Sequence, residues 1–308
     1  MSGSAPLVSI ALPAYNAAGT LATAIRSVLW QTYRNFELLV LDDGSSDATA
    51  QVASGFDDPR IRVIGDGTNL GLAQRLNQAI DTARGELFAR MDADDIAYPQ
   101  RLELQVAHLL THPGTDLVGA RALIFRDDGS TAGTFTYRGT HEEICARPWT
   151  TFHLPHPTWT GRIAWFRRHR YRLPEVVRAE DQDLLLRAYP ESRYYCLRQI
   201  LLGYRQGRTT LRNTLTARRS LAMAHVREHA HRRRYGAMLM APSYILLKSC
   251  FDVAASLLGW QRLFLAQVAA PPNAEELAEW RRVWSELCRP DPPARAAGSN
   301  AQARRSVG

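Results

Sequence analysis

An apolar run that begins at Leu87 ends abruptly in three carboxylates, Asp92, Asp94 and Asp95. Such a run predicts a buried strand, and ionised carboxylates at its end need cations or hydrogen-bond donors. Because alternate side chains of an extended chain face the same side, Asp92 and Asp94 can converge on one hard cation, such as Mg²⁺ or Mn²⁺ bridging to substrate phosphates. The alternative is an acidic loop that caps the next helix, for which Asp95 is well placed.

Two later stretches also carry groups suited to binding or transforming a ligand. The stretch from Phe152 to Trp159 combines His156 with aromatic rings and prolines, which predicts an ordered loop whose rings can stack on a sugar face. A purely structural role for His156 stays open. Further on, Glu180, Asp181 and Asp183 begin an apolar helix, where acids offset the positive end of the helix dipole without any catalysis.

Alternating strands and helices must position these groups. The predicted strands are 7–12, 36–41, 60–64 and 87–91, and the helices between them are 20–31, one that begins at 47, and 72–83. This order predicts βαβ units with a parallel sheet, and ligands of such sheets bind beyond the carboxyl ends of the strands. Four polar clusters follow strands at that edge: Asn16, Asp42 with Asp43, Asn69, and Asp92 with Asp94.

The later part of the chain predicts a second set of elements. Helices are expected over 99–110 and from 180, with a short one from 141, and strands over 116–125, 161–166 and 194–204. A Gly-x-Gly-x-x-Gly loop after the first strand and a Walker phosphate loop are both missing, which argues against a Rossmann dehydrogenase and a P-loop kinase. With acids at the strand ends, phosphates would be held through a metal.

Composition sets broad limits on the protein class. The 308 residues are 45% hydrophobic and 22% charged, which is typical of a soluble globular protein. Four scattered cysteines predict neither a zinc site nor a disulfide framework, and a reducing cytosol fits them best. The first residues lack the features of a signal peptide. The net charge of +8 favours anionic partners such as sugar nucleotides, phospholipid headgroups or nucleic acid.

Five ordered motifs resemble the family 2 glycosyltransferases of the GT-A fold, over roughly residues 6–205. They are Pro13-Ala14-Tyr15-Asn16, Asp42-Asp43-Gly44-Ser45-Ser46-Asp47, Asn69-Leu70-Gly71-Leu72 through Asn77, Ala83-Arg84-Gly85 and Arg90-Met91-Asp92-Ala93-Asp94-Asp95. The resemblance implies an α/β fold with a mainly parallel central sheet flanked by helices. It implies a GT-A domain over 1–210, to which we add a helical C-terminal extension over 211–288 and a disordered tail over 289–308.

The resemblance also implies an inverting enzyme that moves a sugar from a nucleoside diphosphate sugar, with UDP the commonest nucleotide, to a hydroxyl of a saccharide or lipid-linked acceptor. A divalent cation, Mn²⁺ or Mg²⁺, is the implied cofactor, and bacterial cell-surface polysaccharide synthesis is the implied pathway. The implied site residues are Ala14, Tyr15, Asp42, Asp43, Asn69 and Asp92 for the nucleotide, Asp94 for the metal, Asp181 as catalytic base, and Glu180, His156 and Trp159 for the substrate.

One departure and two alternatives accompany this interpretation. The family often has a His two residues after the Tyr-Arg pair, where this chain has Gly207, although Arg205 or Arg208 could reach the diphosphate. A sugar nucleotidyltransferase is the first alternative, but the glycine-rich, Arg-bearing loop that those enzymes share is replaced by the Pro13 turn. A basic nucleic-acid-binding protein is the second, and no aromatic platform accompanies its arginines, so no specific nucleic acid is expected.

The C-terminal third combines a basic stretch with a largely apolar one over 237–269. Pro242, Lys248 and Asp252 interrupt the apolar stretch, which argues against a membrane span. Two interpretations stay open. Either a helix lies in the headgroup plane of a membrane, or a helical pair packs on the catalytic domain or on a second subunit. The sequence predicts a cytoplasmic protein, with peripheral contact to the inner face of the membrane left open and no oligomeric state assigned.

Overall fold

The apolar run Val8–Ala14 forms strand β1, which lies between two parallel neighbours in a mixed sheet. The computed structural model describes residues 5–174, 178–207, 210–233, 235–257 and 269–288. The expected tail over 289–308 therefore lies outside the described residues. All seven residues of β1 are buried, because helices cover both faces of the sheet.

The first half of the chain confirms the predicted βαβ units. After β1 come α1 (Leu21–Leu29), β2 (Phe36–Asp42), α2 (Thr49–Ser54), β3 (Ile61–Ile64), α3 (Leu72–Thr82) and β4 (Leu87–Arg90). Strands β4, β1, β2 and β3 are neighbours in that order, and each pair is parallel. Their carboxyl ends therefore meet at one edge, where Asp42 and Arg90 end their strands.

The middle of the chain adds antiparallel strands to the sheet. It contains β5 (Ile96–Ala97), α4 (Arg101–Thr111), β6 (Leu117–Phe125), β7 (Thr131–Phe135), α5 (His141–Ile144), β8 (Thr160–Arg162) and α6 (Ile163–Arg168). Strand β8 lies between β4 and β6 and is antiparallel to both. The predicted strand 161–166 is thus wrong in its second half. Pairing ends after Arg162, the Ile163 amide donates to the Glu86 carbonyl, and the chain continues as a helix.

Two more elements follow before the C-terminal helices. Helix α7 (Glu180–Ala188) begins with the acidic triplet, and strand β9 (Tyr194–Arg205) runs parallel to β6. Within the described residues the sheet has ten strands, the last of which along the chain is β10 (Ala269–Ala270). The path is β10-β7-β6-β8-β4-β1-β2-β3, with β9 paired to β5 and β6. Strand β9 thereby brings its last residue, Arg205, beside the acidic segment that follows β4.

The C-terminal part contains two long helices, a short strand that joins the sheet and a final helix. Helices α8 (Leu211–His231) and α9 (Tyr235–Leu257) pack on each other, and α8 also packs on α7. The chain then adds β10 (Ala269–Ala270) beside β7 and ends in α10 (Ala274–Leu287). Trp280 of α10 is buried against Phe125 and Tyr98. A Cβ on Gly203 would lie 2.5 Å from the Trp280 ring, so only glycine permits this approach.

Candidate active site

The turns that follow β1 and β2 are joined by hydrogen bonds into one surface. Asn16 has a φ of 49°, a conformation that Asn tolerates, and its Oδ1 accepts a hydrogen bond from the Ser46 amide at 2.9 Å. The Asn16 amide in turn donates to Ser45 Oγ at 3.0 Å. Tyr15 stands on this surface with 54% of its area exposed, while Ala14 is buried beneath it. The surface thus offers an aromatic face beside backbone groups.

Asp43 holds the loop that follows β3 against this surface. Its carboxylate accepts hydrogen bonds from the Leu70 amide at 2.8 Å, from the Gly71 amide at 3.0 Å and from Arg75 Nε at 2.9 Å. Gly44 has a φ of 69°, and a Cβ there would lie 2.7 Å from the Thr68 backbone. These bonds occupy the Asp43 carboxylate with protein donors, so its visible role is to position the loop.

The other predicted nucleotide residues of these loops have fewer hydrogen bonds to the protein than Asp43 has. Asp42 Oδ1 accepts a hydrogen bond from the Ser45 amide at 3.3 Å, and Asn69 is exposed at the loop surface. Arg75 was missed by sequence reasoning, although its side chain is fully buried and bonds both Asp43 and Asp66. An Arg on the first turn of a helix after a polar loop is a signal that could have found it.

The acids after β4 have different partners. Asp92 accepts hydrogen bonds from two guanidinium nitrogens of the buried Arg90, at 2.5 and 3.1 Å. Within the described part of the chain, no cationic side chain lies within ion-pair distance of the Asp94 carboxylate. Burial and the neighbouring Asp92 charge raise the pKa of Asp94. Asp92 is therefore fixed and neutralised by the protein, whereas Asp94 has a carboxylate suited to a cation from outside.

Asp95 does not cap a helix. Helix α4 begins at Arg101, with Gln100 before it, and the buried Asp95 instead accepts a hydrogen bond from the Arg205 amide at 2.9 Å. Burial is the main cause that raises the pKa of Asp95 well above its usual range, and the charges of Asp92 and Asp94 add to the shift. The helix-cap interpretation was wrong because the two-residue strand β5 intervenes and turns Asp95 toward β9.

The acidic start of α7 faces Arg90 and Asp92 across a cleft of about 420 Å³. The cleft is lined by Arg90, Asp92, His156, Glu180, Asp181 and Gln182 among others. Gln182 Nε2 donates to the Asp181 carboxylate at 3.0 Å, and its Oε1 accepts from the Phe152 amide at 2.8 Å. Gln182 therefore fixes Asp181 relative to the 152–159 loop.

The surroundings of Glu180 and Asp181 favour proton exchange. Burial, followed by the Asp181 charge, raises the pKa of Glu180 to about 7. Burial also raises the pKa of Asp181, while the bonds to Gln182 oppose the shift. Two adjacent, partly buried carboxyls with raised pKa values are typical of sites that accept or release protons.

His156 lines the same cleft from the other side. Its Nε2 lies 2.7 Å from the Tyr171 hydroxyl, and its Nδ1 lies 3.8 Å from Glu180 Oε1. Burial, followed by the Arg90 charge, lowers the pKa of His156 well below its usual range, so the ring is neutral. Trp159 has no exposed surface and donates to the Leu154 carbonyl at 3.0 Å. The structure places Trp159 in the core, packed edge-on against His156.

Other predicted contacts have protein partners. Asp183 bonds Arg172 and Arg187 at 3.2 and 2.9 Å and does not line the cleft. Arg205 donates to the Asp94 carbonyl at 2.9 Å and to Asp127 at 2.8 Å, so it anchors the acidic segment. Arg208 lies outside the described residues. Of the predicted set, the structure brings Asp92, His156, Glu180 and Asp181 to one cleft.

The sequence matches the model of Glycosyl transferase family 2 over residues 9–170, which include β1 to β4, the acidic segment and the His156 loop. The chain belongs to glycosyltransferase family 2. It is therefore a glycosyltransferase enzyme, and the alternatives of a nucleotidyltransferase and a nucleic-acid-binding protein are set aside. The predicted motifs thus identified the right family.

Curated relatives agree with this assignment. The Bacillus subtilis protein EpsE is 36% identical over 209 residues, which are 66% of this chain and 74% of that protein. An Escherichia coli relative is 40% identical over 129 residues, 42% of this chain and 50% of its own length. That relative is named UDP-Glc:alpha-D-GlcNAc-diphosphoundecaprenol beta-1,3-glucosyltransferase WfgD, and the match spans half of it.

Solved structures confirm the GT-A fold. Residues 1–349 of S. aureus TarS, bound to UDP-GlcNAc, match with a TM-score of 0.56 at 20% identity, over 91% of this chain and 80% of that one. Mannosyltransferase PcManGT from Pyrobaculum calidifontis, bound to GDP-Man and Mn²⁺, matches with a TM-score of 0.57 at 17% identity, over 92% and 84%. The helical C-terminal region lies within these matched spans in large part.

In the described parts of the chain, no three or more His, Cys, Asp and Glu side chains are grouped so as to hold a metal ion. The same parts contain no helix that combines the length and the apolar character needed to cross a membrane.

Proposed function

We propose that this glycosyltransferase transfers a sugar from a UDP-sugar to a hydroxyl of a lipid-linked saccharide, with inversion at the anomeric carbon. The observation that carries the proposal is the cleft in which Asp181 and Glu180 face the Arg90–Asp92 pair. An acid that can accept a proton and an acidic segment suited to a nucleotide thus border the same space. UDP and UDP-GlcNAc in TarS and the name of WfgD support the donor and the acceptor.

In the proposed mechanism Asp181 is the general base. It takes the proton of the acceptor hydroxyl while that oxygen attacks the anomeric carbon and the bond to the diphosphate breaks on the opposite side. Burial favours this role, because a raised pKa makes Asp181 a stronger base. Gln182 holds the carboxylate in place, and Glu180 is positioned to bind a sugar hydroxyl.

The donor set fits a divalent cation at Asp94. Mg²⁺ and Mn²⁺ prefer oxygen ligands, and the half-buried Asp94 carboxylate has a raised pKa that a nearby cation would relieve. When bound, such a cation supplies positive charge that offsets the charge of the leaving diphosphate. Asp92 would then stay with Arg90 and face the ribose. Tyr15, Ala14, Asn69 and Asp42 would contact the base and ribose from the adjacent loops.

Calorimetric titration of UDP, GDP, dTDP and CMP, each with and without Mn²⁺, tests the donor site. UDP with Mn²⁺ is expected to bind most tightly. At about 100 times its dissociation constant, it should raise the free energy of unfolding by about 2.7 kcal/mol. Asp94→Asn should remove the effect of Mn²⁺ but leave metal-free UDP binding intact. Asp57→Asn, an exposed acid elsewhere, serves as the control. Unchanged Mn²⁺ dependence in Asp94→Asn would contradict the metal assignment.

We also propose that α9 lies on an anionic lipid surface, which keeps a cytoplasmic enzyme at the inner face of the membrane beside a lipid-linked acceptor. Four large apolar side chains recur at helical spacing on α9 and stay 39–71% exposed: Met240, Tyr244, Leu247 and Phe251. Leu246 adds to them at 66%. Exposed apolar patches of this kind mark protein or membrane contacts.

Charge favours lipid over a second protein copy as the occupant of this face. Residues 211–257 hold eight Lys and Arg against two acidic residues, so this segment carries +6 of the chain's net +8. Two such segments facing each other would repel, whereas anionic headgroups attract each nearby basic residue by about 1 kcal/mol. Exposed apolar side chains beside basic residues are suited to binding in the headgroup plane.

Vesicle co-sedimentation tests this contact. The protein should bind vesicles that contain phosphatidylglycerol and not pure phosphatidylcholine, and Leu247→Glu should reduce that binding. Leu110→Glu is the matched control, because Leu110 of α4 is 60% exposed at another place. Light scattering on the same samples measures the molecular mass. A dimer that Leu247→Glu dissociates, with no vesicle binding, would assign the face to a second copy instead.

A further inference from the structure

A second cleft, of about 600 Å³, lies between α7 and the C-terminal end of α8. It shares no lining residue with the cleft that contains Asp181. Four of its lining side chains are arginines, namely Arg172, Arg187, Arg227 and Arg232. Its volume is within the range of clefts that hold small ligands. The proposed transferase mechanism uses none of these arginines.

Three of the four arginines already have carboxylate partners. Arg172 and Arg187 share the buried Asp183, at 3.2 and 2.9 Å. Arg232 pairs with Glu228 at 2.6 Å. The remaining acid of the cleft, Glu191, is 63% exposed and lies 3.8 Å from His169. These pairs neutralise part of the cleft, and among the described residues no acid forms an ion pair with Arg227.

Arg227 is the arginine of this cleft that best indicates a bound ligand. Its Nη1 is buried, and no atom of the described residues accepts a hydrogen bond from it. A buried guanidinium N–H without an acceptor is unfavourable, and guanidinium groups match the oxygens of phosphate in geometry and charge. Several guanidinium groups around one cleft, one of them with an unused donor, are typical of a site for a phosphate group.

We propose that this cleft binds a phosphate group, with Arg227 as its main contact. The phosphate belongs either to a lipid headgroup or to a free anion, since both present the same oxygens. The site rests on its own residues and does not depend on the proposed donor or acceptor. Asp183, which pairs with Arg172 and Arg187 of this cleft, lies two residues after Asp181 on α7.

Titration calorimetry with inorganic phosphate tests the site, with UDP and Mn²⁺ present in excess so that the donor site is filled. Arg227→Gln should weaken phosphate binding by about tenfold or more, the value of a charge-assisted hydrogen bond. Arg219→Gln removes the same charge from an exposed position of the same helix and should stay within about twofold of the wild type. Equal phosphate affinity in Arg227→Gln and wild type would overturn the proposal.

Two further measurements distinguish the sources and guard against a folding defect. A lipid headgroup is assigned if Arg227→Gln loses binding to phosphatidate vesicles and free phosphate competes with vesicle binding of the wild type. A soluble anion is assigned if the substitution weakens only the binding of free phosphate. Crystals of the wild type grown with tungstate, a phosphate mimic located by anomalous scattering, should contain the anion beside Arg227. Tungstate bound only elsewhere would refute the site, whereas failure of UDP to bind would count against the donor proposal alone.

Discussion

Two pairs of neighbouring acids in this molecule have opposite electrostatic surroundings. Asp43, in the pair after β2, accepts hydrogen bonds from two amides and from the buried Arg75. Glu180 and Asp181, at the start of α7, lie partly buried beside each other, and desolvation raises both pKa values. The comparison teaches that residue type does not decide the role of an acid. Protein donors fix Asp43 as a loop anchor, and desolvation leaves the α7 pair able to exchange protons.

The sharpest test of this comparison is removal of the proton acceptor. Asp181→Asn keeps the size and the Gln182 contact but cannot take a proton, so turnover should fall by about 10²- to 10⁴-fold. UDP affinity, measured by calorimetry, should not change. Asp183→Asn is not a suitable control because it breaks a buried salt bridge. Asp57→Asn is suitable, and near-normal turnover by Asp181→Asn would transfer the base role to another group.

Removing the anchor should affect stability first. Asp43→Asn leaves the Arg75 side chain buried with only the partly exposed Asp66 as its acid, and we expect a loss of about 3–5 kcal/mol in the free energy of unfolding. Asp66→Asn removes the other partner of the same arginine. Because Asp66 is 52% exposed and solvent screens its charge, its loss should cost much less stability than the loss of Asp43. Urea denaturation of both variants measures the difference, and equal losses would contradict the anchor role.

The raised pKa of Glu180 predicts a pH-dependent stability. The folded protein keeps the Glu180 proton up to a pH of about 7, whereas the unfolded chain releases it near 4.5. Stability should therefore fall as the pH rises between these values and level off above them, by about 3 kcal/mol for this group.

Glu180→Gln should remove that part of the decrease, which urea denaturation at about pH 5 and about pH 8 would measure. Glu86→Gln, a substitution at an exposed site, should keep the wild-type pH profile. If wild type and Glu180→Gln lost the same stability over this range, Glu180 would have an ordinary pKa, and the contrast with Asp43 would be lost.

Local patterns were sufficient to predict the first sheet units. Apolar runs that end in Asp42 and Asp92, with amphipathic helices between them, determine a parallel sheet and the edge at which its polar groups meet. The same reasoning placed Asp92 at that edge, whereas Asp181 was assigned to the site only through the family resemblance. These features depend on neighbours a few residues apart, which a sequence displays directly.

Long-range partners were beyond such reasoning. The Asp43–Arg75 bond spans 32 residues and the Arg205–Asp95 bond spans 110, so neither produces a periodic signal. Trp159 was expected at the substrate because aromatic rings stack on sugars, yet the fold buries it completely. The domain boundaries near 210 and 288 stay predictions, and so do the roles of the individual site residues.

The return of the chain to the sheet after α9 has a mechanical consequence. The chain leaves the sheet at Arg205 of β9 and re-enters at Ala269, and in the described part of the sheet β6 and β7 are the strands that lie between β9 and β10. Three inter-strand spacings amount to about 14 Å across the sheet. The segment between Arg205 and Ala269 is thus attached to the same sheet at both ends, and Trp280 packs on that sheet just after the second attachment.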